Sequence, residues 1–291
     1  MIRHYLSMIF VNVMWGLSFM ASKLALSSGF SVMMLAAMRY AVAVVCLLPF
    51  ALRDKRSRLR KKDIHMIFLS GFTGITLYYY FEYSGISRTS TVNTSLIIAS
   101  VPMMTMLAEA VIDHKRMTAA QLIGSLVSLC GVGAIVLGSR GEEASLVGDL
   151  FIVGCAVVWV IYIFVSRGLR QSYSSIAMNA WQAVAALITL VPLAFTQPCD
   201  LSAVTWEGWA AMLVLAVVCS SLCYVLYGQS LSEMSPLASA IFINLQPFVA
   251  IIAGALFLGE RITPVGLLGG VMIIASIFIV SLPAKKPAGD A

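Results

Sequence analysis

Ten stretches of roughly 20 mainly apolar residues run along the chain, separated by short polar links, at about 5–26, 32–52, 64–85, 91–112, 118–138, 148–167, 176–196, 207–230, 236–258 and 264–283. At about 1.5 Å per residue, such a stretch crosses a hydrocarbon layer of about 30 Å as an α-helix. Each therefore predicts a membrane span. Proline and glycine punctuate the links, as at Ser235-Pro236 and Thr263-Pro264, where a proline in the first helical turn loses no hydrogen bond. The first stretch is longer than the apolar core of a signal peptide, about 7–15 residues, and predicts a retained helix.

Composition agrees. The 291 residues are 60% hydrophobic and 11% charged, against about 25% charged in an ordinary soluble domain. A chain of this kind needs hydrocarbon around it. The formal charge of +6 does not indicate nucleic acid, because the basic residues concentrate in the links. With the N-terminus placed in the cytoplasm, the inner links and tails hold 14 Lys and Arg and the outer links three. That asymmetry predicts both termini on the cytoplasmic side of the plasma (cytoplasmic) membrane. Seven of the basic residues fall between Arg53 and Lys62, a cluster suited to anionic lipid.

The two halves of the chain resemble each other. Arg116-Met-Thr118-Ala-Ala-Gln-Leu122-Ile-Gly124 aligns with Arg261-Ile-Thr263-Pro-Val-Gly-Leu267-Leu-Gly269 at a shift of 145, with four of nine residues identical. Pro102 and Pro247, and Tyr79 and Tyr224, share that shift, while Trp15 and Trp159 differ by 144. A duplication at near-constant spacing follows. Five spans per half is odd, so the second half enters the membrane inverted. Inverted repeats place a solute site near the midplane where the halves meet.

Trp15-Gly16-x-Ser18-Phe19, Arg39-Tyr40, Gly148-Asp149 and Gly259-Glu260-Arg261-x-Thr263 together resemble the EamA family of the drug/metabolite transporter superfamily. The first half departs from the pattern, since Asp113-His114-Lys115-Arg116 lacks the Gly-Glu of the second. The resemblance implies an all-α integral membrane protein of ten transmembrane helices in two inverted five-helix repeats. Residues 1–140 form the first EamA-like repeat, 145–283 the second and 284–291 a cytoplasmic tail. It also implies a secondary transporter, often an exporter of amino acids or other metabolites.

The sequence lacks a phosphate-binding G-x-x-x-x-G-K-[ST] loop, so no ATP chemistry is indicated. His4, His65 and His114 all fall at span ends, where they build no catalytic cluster. The six cysteines include no metal-type CxxC pair. No metal, cofactor or enzymatic activity is expected. The energy for moving a small-molecule solute would come from a proton, ion or solute gradient. A membrane enzyme or lipid-handling protein, recognisable by covalent product or gradient-free activity, and a channel, recognisable by single-channel current, are the alternatives.

Candidate solute-binding residues are Trp15, Arg39, Tyr79, Glu82, Trp159, Tyr162, Tyr224 and Tyr227, which fall within spans. Deep Trp and Tyr need a polar partner or a wet cavity, so helix packing and an aromatic wall around a solute both fit. Arg39 lies about 10 Å deep by helical rise. Intramembrane charges are costly unless paired or hydrated, so Arg39 is expected either to pair with Glu82 or to leave one of the two facing a cavity. Lys23 is expected to snorkel to the headgroups, and Glu109 to cap or snorkel. Pro102 and Pro247 free a carbonyl each and predict hinges. Gly124, Gly131, Gly133, Gly266, Gly269 and Gly270 predict close helix contact, within the fold or in a homodimer.

Overall fold

The computed structural model describes residues 2–53, 58–114, 116–138, 145–233, 245–261 and 263–281. Lys55 and Arg56 of the basic link, Lys115, Arg140, Asn244, Pro236 and the 284–291 tail lie outside the described residues. The described chain is all-helical. Its long helices are α1 (Ile2–Ser27), α2 (Val32–Arg53), α3 (64–86), α4 (Thr91–Ile112), α5 (Ala119–Gly138), α6 (Leu146–Ser166), α7 (Ser175–Ala194), α8 (206–233), α9 (Leu245–Phe257) and α10 (Pro264–Ser281). Seven of them are long and apolar enough to cross a membrane, and two further apolar helices, Leu245–Phe257 and Pro264–Val280, are shorter.

Local chemistry starts these helices. Ser90, Ser145 and Ser174 are N-caps whose hydroxyls accept from the backbone N–H three residues on. Thr118 and Gln121 bond each other's backbone N–H reciprocally, and the Thr263 hydroxyl accepts from Gly266 N. The aligned threonines thus do the same work. The turns before them also agree. His114 has φ 50° where Gly259, 145 residues later, has φ 67°. Histidine tolerates the left-handed region better than most residues, so His114 takes the kind of backbone angle that Gly259 takes.

Two helices change pitch in mid-course. Phe72–Leu77 within α3 and Val214–Leu222 within α8 are π-helical, a geometry that recurs at functional sites. Residues 99–100 interrupt α4 just ahead of Pro102, as the proline predicts.

The packing is cross-related. α2 lies against α7, and α5 against α10; α1 packs on α8 and α9, while α6 packs on α3 and α4. Gly131 and Gly269 bring α5 and α10 together so closely that a Cβ on either would lie within 2.7 Å of the other's carbonyl oxygen. Gly124 faces Val280 and Ser276, and Gly270 faces Leu96, while Gly133 meets nothing and Gly266 only its own cap Thr263 and Asn93. The glycine contacts present are therefore spent inside this fold. Large apolar side chains such as Val45, Leu137, Phe195, Leu256 and Phe278 cover the outside, whereas Asn12, Arg39, Glu82 and Gln182 are buried. That inside-out polarity suits a hydrocarbon solvent.

Candidate functional site

Near the middle of the bundle α2, α3, α6, α7 and α8 surround a narrow cavity. Trp159 and Tyr162 of α6, Tyr224 and Ser220 of α8, and Tyr40 of α2 supply part of its wall. Asn179 and Gln182 of α7 and Gly74 of α3 supply more. Its volume is about 10 Å³, the space of one water molecule, so this conformation holds the centre nearly closed.

The π segments shape this cavity. Gly74 lies in the first, and a Cβ there would strike the Tyr162 ring; the glycine lets that ring lie flat against the backbone. Tyr162 donates to Gln182 Oε1 at 3.3 Å, and Gln182 Nε2 donates to Ser70 Oγ at 2.9 Å. Ser220 lies in the second π segment. There the Trp15 indole donates to the Cys219 carbonyl at 3.2 Å, tying α1 to the widened turn.

Aromatic rings extend from the cavity in two directions. Trp159 touches Tyr162 at 4.8 Å and Tyr78 at 5.0 Å between centroids, and Tyr78, Tyr79 and Tyr83 follow in succession. Trp15 meets Tyr224 at 5.4 Å and Tyr227 at 5.1 Å.

Arg39 sits beside this wall, 3% exposed. Its Nε donates to Ser220 Oγ at 2.7 Å and its Nη1 to Tyr83 Oη at 2.8 Å, and its guanidinium lies 4.6 Å over the Tyr79 ring. The expected ion pair with Glu82 is not formed among the described residues. Glu82 is equally buried, feels the Arg39 charge from beyond ion-pair distance, and has Tyr78 one turn away as its polar neighbour. Two hydroxyls and a ring face took the place of the carboxylate, because Tyr79 and Tyr83, one turn apart on α3, present the face that meets Arg39, while Glu82 leaves the helix beside Tyr78.

Three of the eight predicted residues, Trp159, Tyr162 and Tyr224, line the cavity. Trp15, Tyr227, Tyr79, Arg39 and Glu82 stand around that lining, in contact with it or one residue removed. Tyr40, Ser220, Gln182, Asn179 and Gly74 line it and were not foreseen. Tyr40 carried a signal as the partner of Arg39 in the Arg-Tyr pair, and Gln182 as a polar residue within an apolar stretch. Gly74 and Ser220 carried none, since π geometry leaves no mark in the sequence.

At one end of the bundle the carboxylates of two family-like motifs meet on the start of α4. Glu260 accepts from Thr91 N at 2.9 Å, Thr91 Oγ1 at 2.7 Å and Val92 N at 3.2 Å. Lys23 Nζ donates to Glu260 Oε1 at 2.9 Å and to the Thr89 carbonyl at 3.0 Å. Lys23 therefore does not snorkel away; a buried carboxylate holds it. Asp149 accepts from Thr89 Oγ1 at 2.5 Å and Asn93 Nδ2 at 3.1 Å. Burial pushes the Glu260 carboxyl up, but hydrogen bonds from Thr91 and Lys23 outweigh it and hold it below the usual carboxylate range. At the other end Glu109 and Asp113 pair with Arg167 at 3.4 Å and 2.8 Å, so Glu109 is an ion-pair partner.

A second, larger groove of about 370 Å³ lies between α4 and α6, walled by apolar side chains such as Met104, Ile112, Val157 and Phe164. With no polar group on its wall, it has nothing to orient a solute.

The model of the EamA-like transporter family matches residues 2–137 and 146–282. This chain belongs to that family. One transporter relative, from Streptantibioticus cattleyicolor, bears the name "Probable terminal-alkyne amino-acid exporter" and is 27% identical over 94% of this chain and 92% of its own length. Another, the uncharacterized transporter YetK of Bacillus subtilis, is 23% identical over 86% of this chain and 78% of its own. A solved crystal structure shares the fold at a TM-score of 0.65, covering 96% of both chains at 16% identity. The chain is thus a multi-pass membrane protein of a transporter family, and family and relatives alike point to a small-molecule solute.

Proposed function

We propose that this EamA protein is a secondary active transporter that exports amino acids or related small metabolites by alternating access. One observation carries the reading. The only buried cation in mid-span among the described residues, Arg39, adjoins an aromatic cavity built from both halves of the chain. In this reading Trp159, Tyr162 and Tyr224 form the aromatic wall, backed by Trp15, Tyr227 and Tyr79, with Arg39 and Glu82 as the adjoining charged groups and Pro102 and Pro247 as the hinges.

The proposed architecture is ten spans in two inverted repeats, 1–140 and 145–283, with both termini in the cytoplasm. Three observations support it: the two matched stretches, the paired π segments, and the exchange of packing partners between halves. Glu82 is the proposed coupling group for a proton or ion, because it is buried and has no ion-pair partner among the described residues. The basic link Arg53–Lys62 contacts anionic lipid. No cofactor and no nucleic acid take part.

Uptake and counterflow in proteoliposomes, screened across amino acids, amines and nucleobases at two pH values, test the proposal. Saturable counterflow of at least one class is expected. Absence of counterflow with every class, in protein whose fold is intact, rejects it.

A further inference from the structure

The groove between α4 and α6 has Met104, Ala108 and Ile112 on one wall and Val157, Ile161 and Val165 on the other. Each row repeats every four residues, so each keeps to one face of its helix. The volume of about 370 Å³ is that of roughly twelve water molecules at about 30 Å³ each. Water finds no hydrogen-bond partner on this wall, and only apolar atoms gain from contact with it. One end of the groove is different in kind. α4 ends at Ile112 and α6 at Ser166, and the next residues, Asp113 and Arg167, pair at 2.8 Å. Arg167 also pairs with Glu109 at 3.4 Å, and its guanidinium lies 4.6 Å over the ring of Phe164, itself a wall residue. The side chains of Arg167, Glu109 and Asp113 are 45%, 34% and 24% exposed, so this charged rim is open to the outside. Arg170, the next cation on α6's side, is directed instead onto Ser166 Oγ at 3.3 Å.

We propose that the groove is a lipid site, holding one acyl chain of phosphatidylethanolamine with the headgroup on the Glu109, Asp113 and Arg167 rim. The chain contributes packing alone, because the surrounding hydrocarbon is as apolar as the groove. Selection therefore falls to the headgroup. Two carboxylates and one guanidinium make the rim anionic as a whole while giving it both signs. A primary ammonium brings N–H donors to the carboxylates, and the phosphate beside it faces Arg167. A choline headgroup has no N–H to donate, and a glycerol headgroup sets its phosphate against two carboxylates with no cation of its own. The proposal goes beyond the transport reading and does not depend on which solute moves.

The test mixes the purified full-length protein in detergent with equal amounts of dioleoyl phosphatidylethanolamine, phosphatidylcholine and phosphatidylglycerol, which share their tails. Native mass spectrometry measures the lipid retained. Ala108→Phe fills the groove from α4, and Val157→Phe fills it from α6. Lipid kept by the wild type and lost in either variant belongs to the groove, which sets aside anything held by the basic link Arg53–Lys62. That groove lipid is expected to be phosphatidylethanolamine over each of the others by about fivefold, the scale of one exposed charged contact. In the double variant Glu109→Gln, Asp113→Asn the ratio falls to about one, while lipid is still retained.

Equal retention of the three lipids by the wild type overturns the proposal, whether or not the variants fold. Groove lipid that is mainly phosphatidylglycerol overturns it as well, since the rim would then act as a cation site. A fivefold preference that survives both groove fillings, or the double rim substitution in folded protein, does the same. If the wild type keeps no lipid, the proposal fails, and a dimer disrupted by Val157→Phe would then identify a second copy as the occupant.

Discussion

Lys23 on α1 and Glu260 in the turn before α10 form an ion pair of 2.9 Å across 237 residues of sequence. The pair closes a cluster in which the Glu260 carboxylate also caps the first turn of α4. Three elements far apart in the chain are thereby held at one point. An anion at a helix N-terminus is favoured by the exposed N–H groups and the helix dipole, so Glu260 is stabilised from two sides.

Removing Lys23 leaves that buried carboxylate without its counter-charge. Lys23→Met is expected to destabilise the protein by about 1–3 kcal/mol, less than a fully buried pair because Lys23 is part exposed. Glu260→Gln keeps acceptors for only part of the cap and is expected to cost a similar amount. Thermal unfolding of the purified protein in detergent measures both. Wild-type stability in Lys23→Met would mean that the cap alone holds Glu260.

The same group sets a pH dependence. Its folded pKa lies below the ordinary carboxylate value of 4.5, so the folded state gains stability above that value and loses it as pH falls through the folded pKa. The Glu260 contribution to the Tm, read as the difference between the wild type and Glu260→Gln, is therefore expected to be constant from neutral pH to about pH 5 and to fall below about pH 4. In Glu260→Gln the acid-side fall should be shallower. A profile identical to the wild type would assign the acid sensitivity to other carboxylates.

Gly269 and Gly133 make a matched contrast on the α5–α10 pair. A Cβ on Gly269 would meet Gly131 O at 2.6 Å and Ile135 Cγ1 at 2.7 Å, whereas nothing lies within 4 Å of one on Gly133. Gly269→Ala is expected to cost about 1–3 kcal/mol by forcing the helices apart. Gly133→Ala is expected to be neutral or to stabilise by up to about 1 kcal/mol through helix propensity. Comparable Tm values for the two variants would refute the close approach.

Gly74→Ala is expected to act on transport more than on stability. The new methyl would press on the Tyr162 ring, which lines the cavity and is anchored by Gln182. Displacing that ring should lower counterflow at least about tenfold, the order of effect expected from misplacing a positioning group, while Tm falls modestly. Unchanged counterflow would remove Tyr162 from the solute path.

Much of the fold was legible because hydrocarbon imposes a length and an apolarity on every span, and both can be counted along the sequence. The likeness of the two halves at Thr118 and Thr263 was legible, and their aligned hydroxyls cap in the same way. The aromatic cavity was half legible, since Trp159, Tyr162 and Tyr224 stood out as deep aromatics. Partners were not legible. An ion pair between Arg39 and Glu82 was one of two arrangements that their depth allowed, and depth does not say which way a side chain leaves its helix. Lys23 looked able to reach the headgroups until Glu260 was brought beside it.

By itself the sequence determined an apolar helical chain with polar turns and its capping residues, because those follow from local composition and spacing, and its motifs carried the resemblance to the family. Only the tertiary structure decided that Arg39 is held by Ser220 and Tyr83, that Glu260 caps α4, and that Gly74 makes room for Tyr162. Each of these joins residues more than 40 positions apart or a π-helical turn to a neighbour, and such meetings depend on how whole helices rotate and cross.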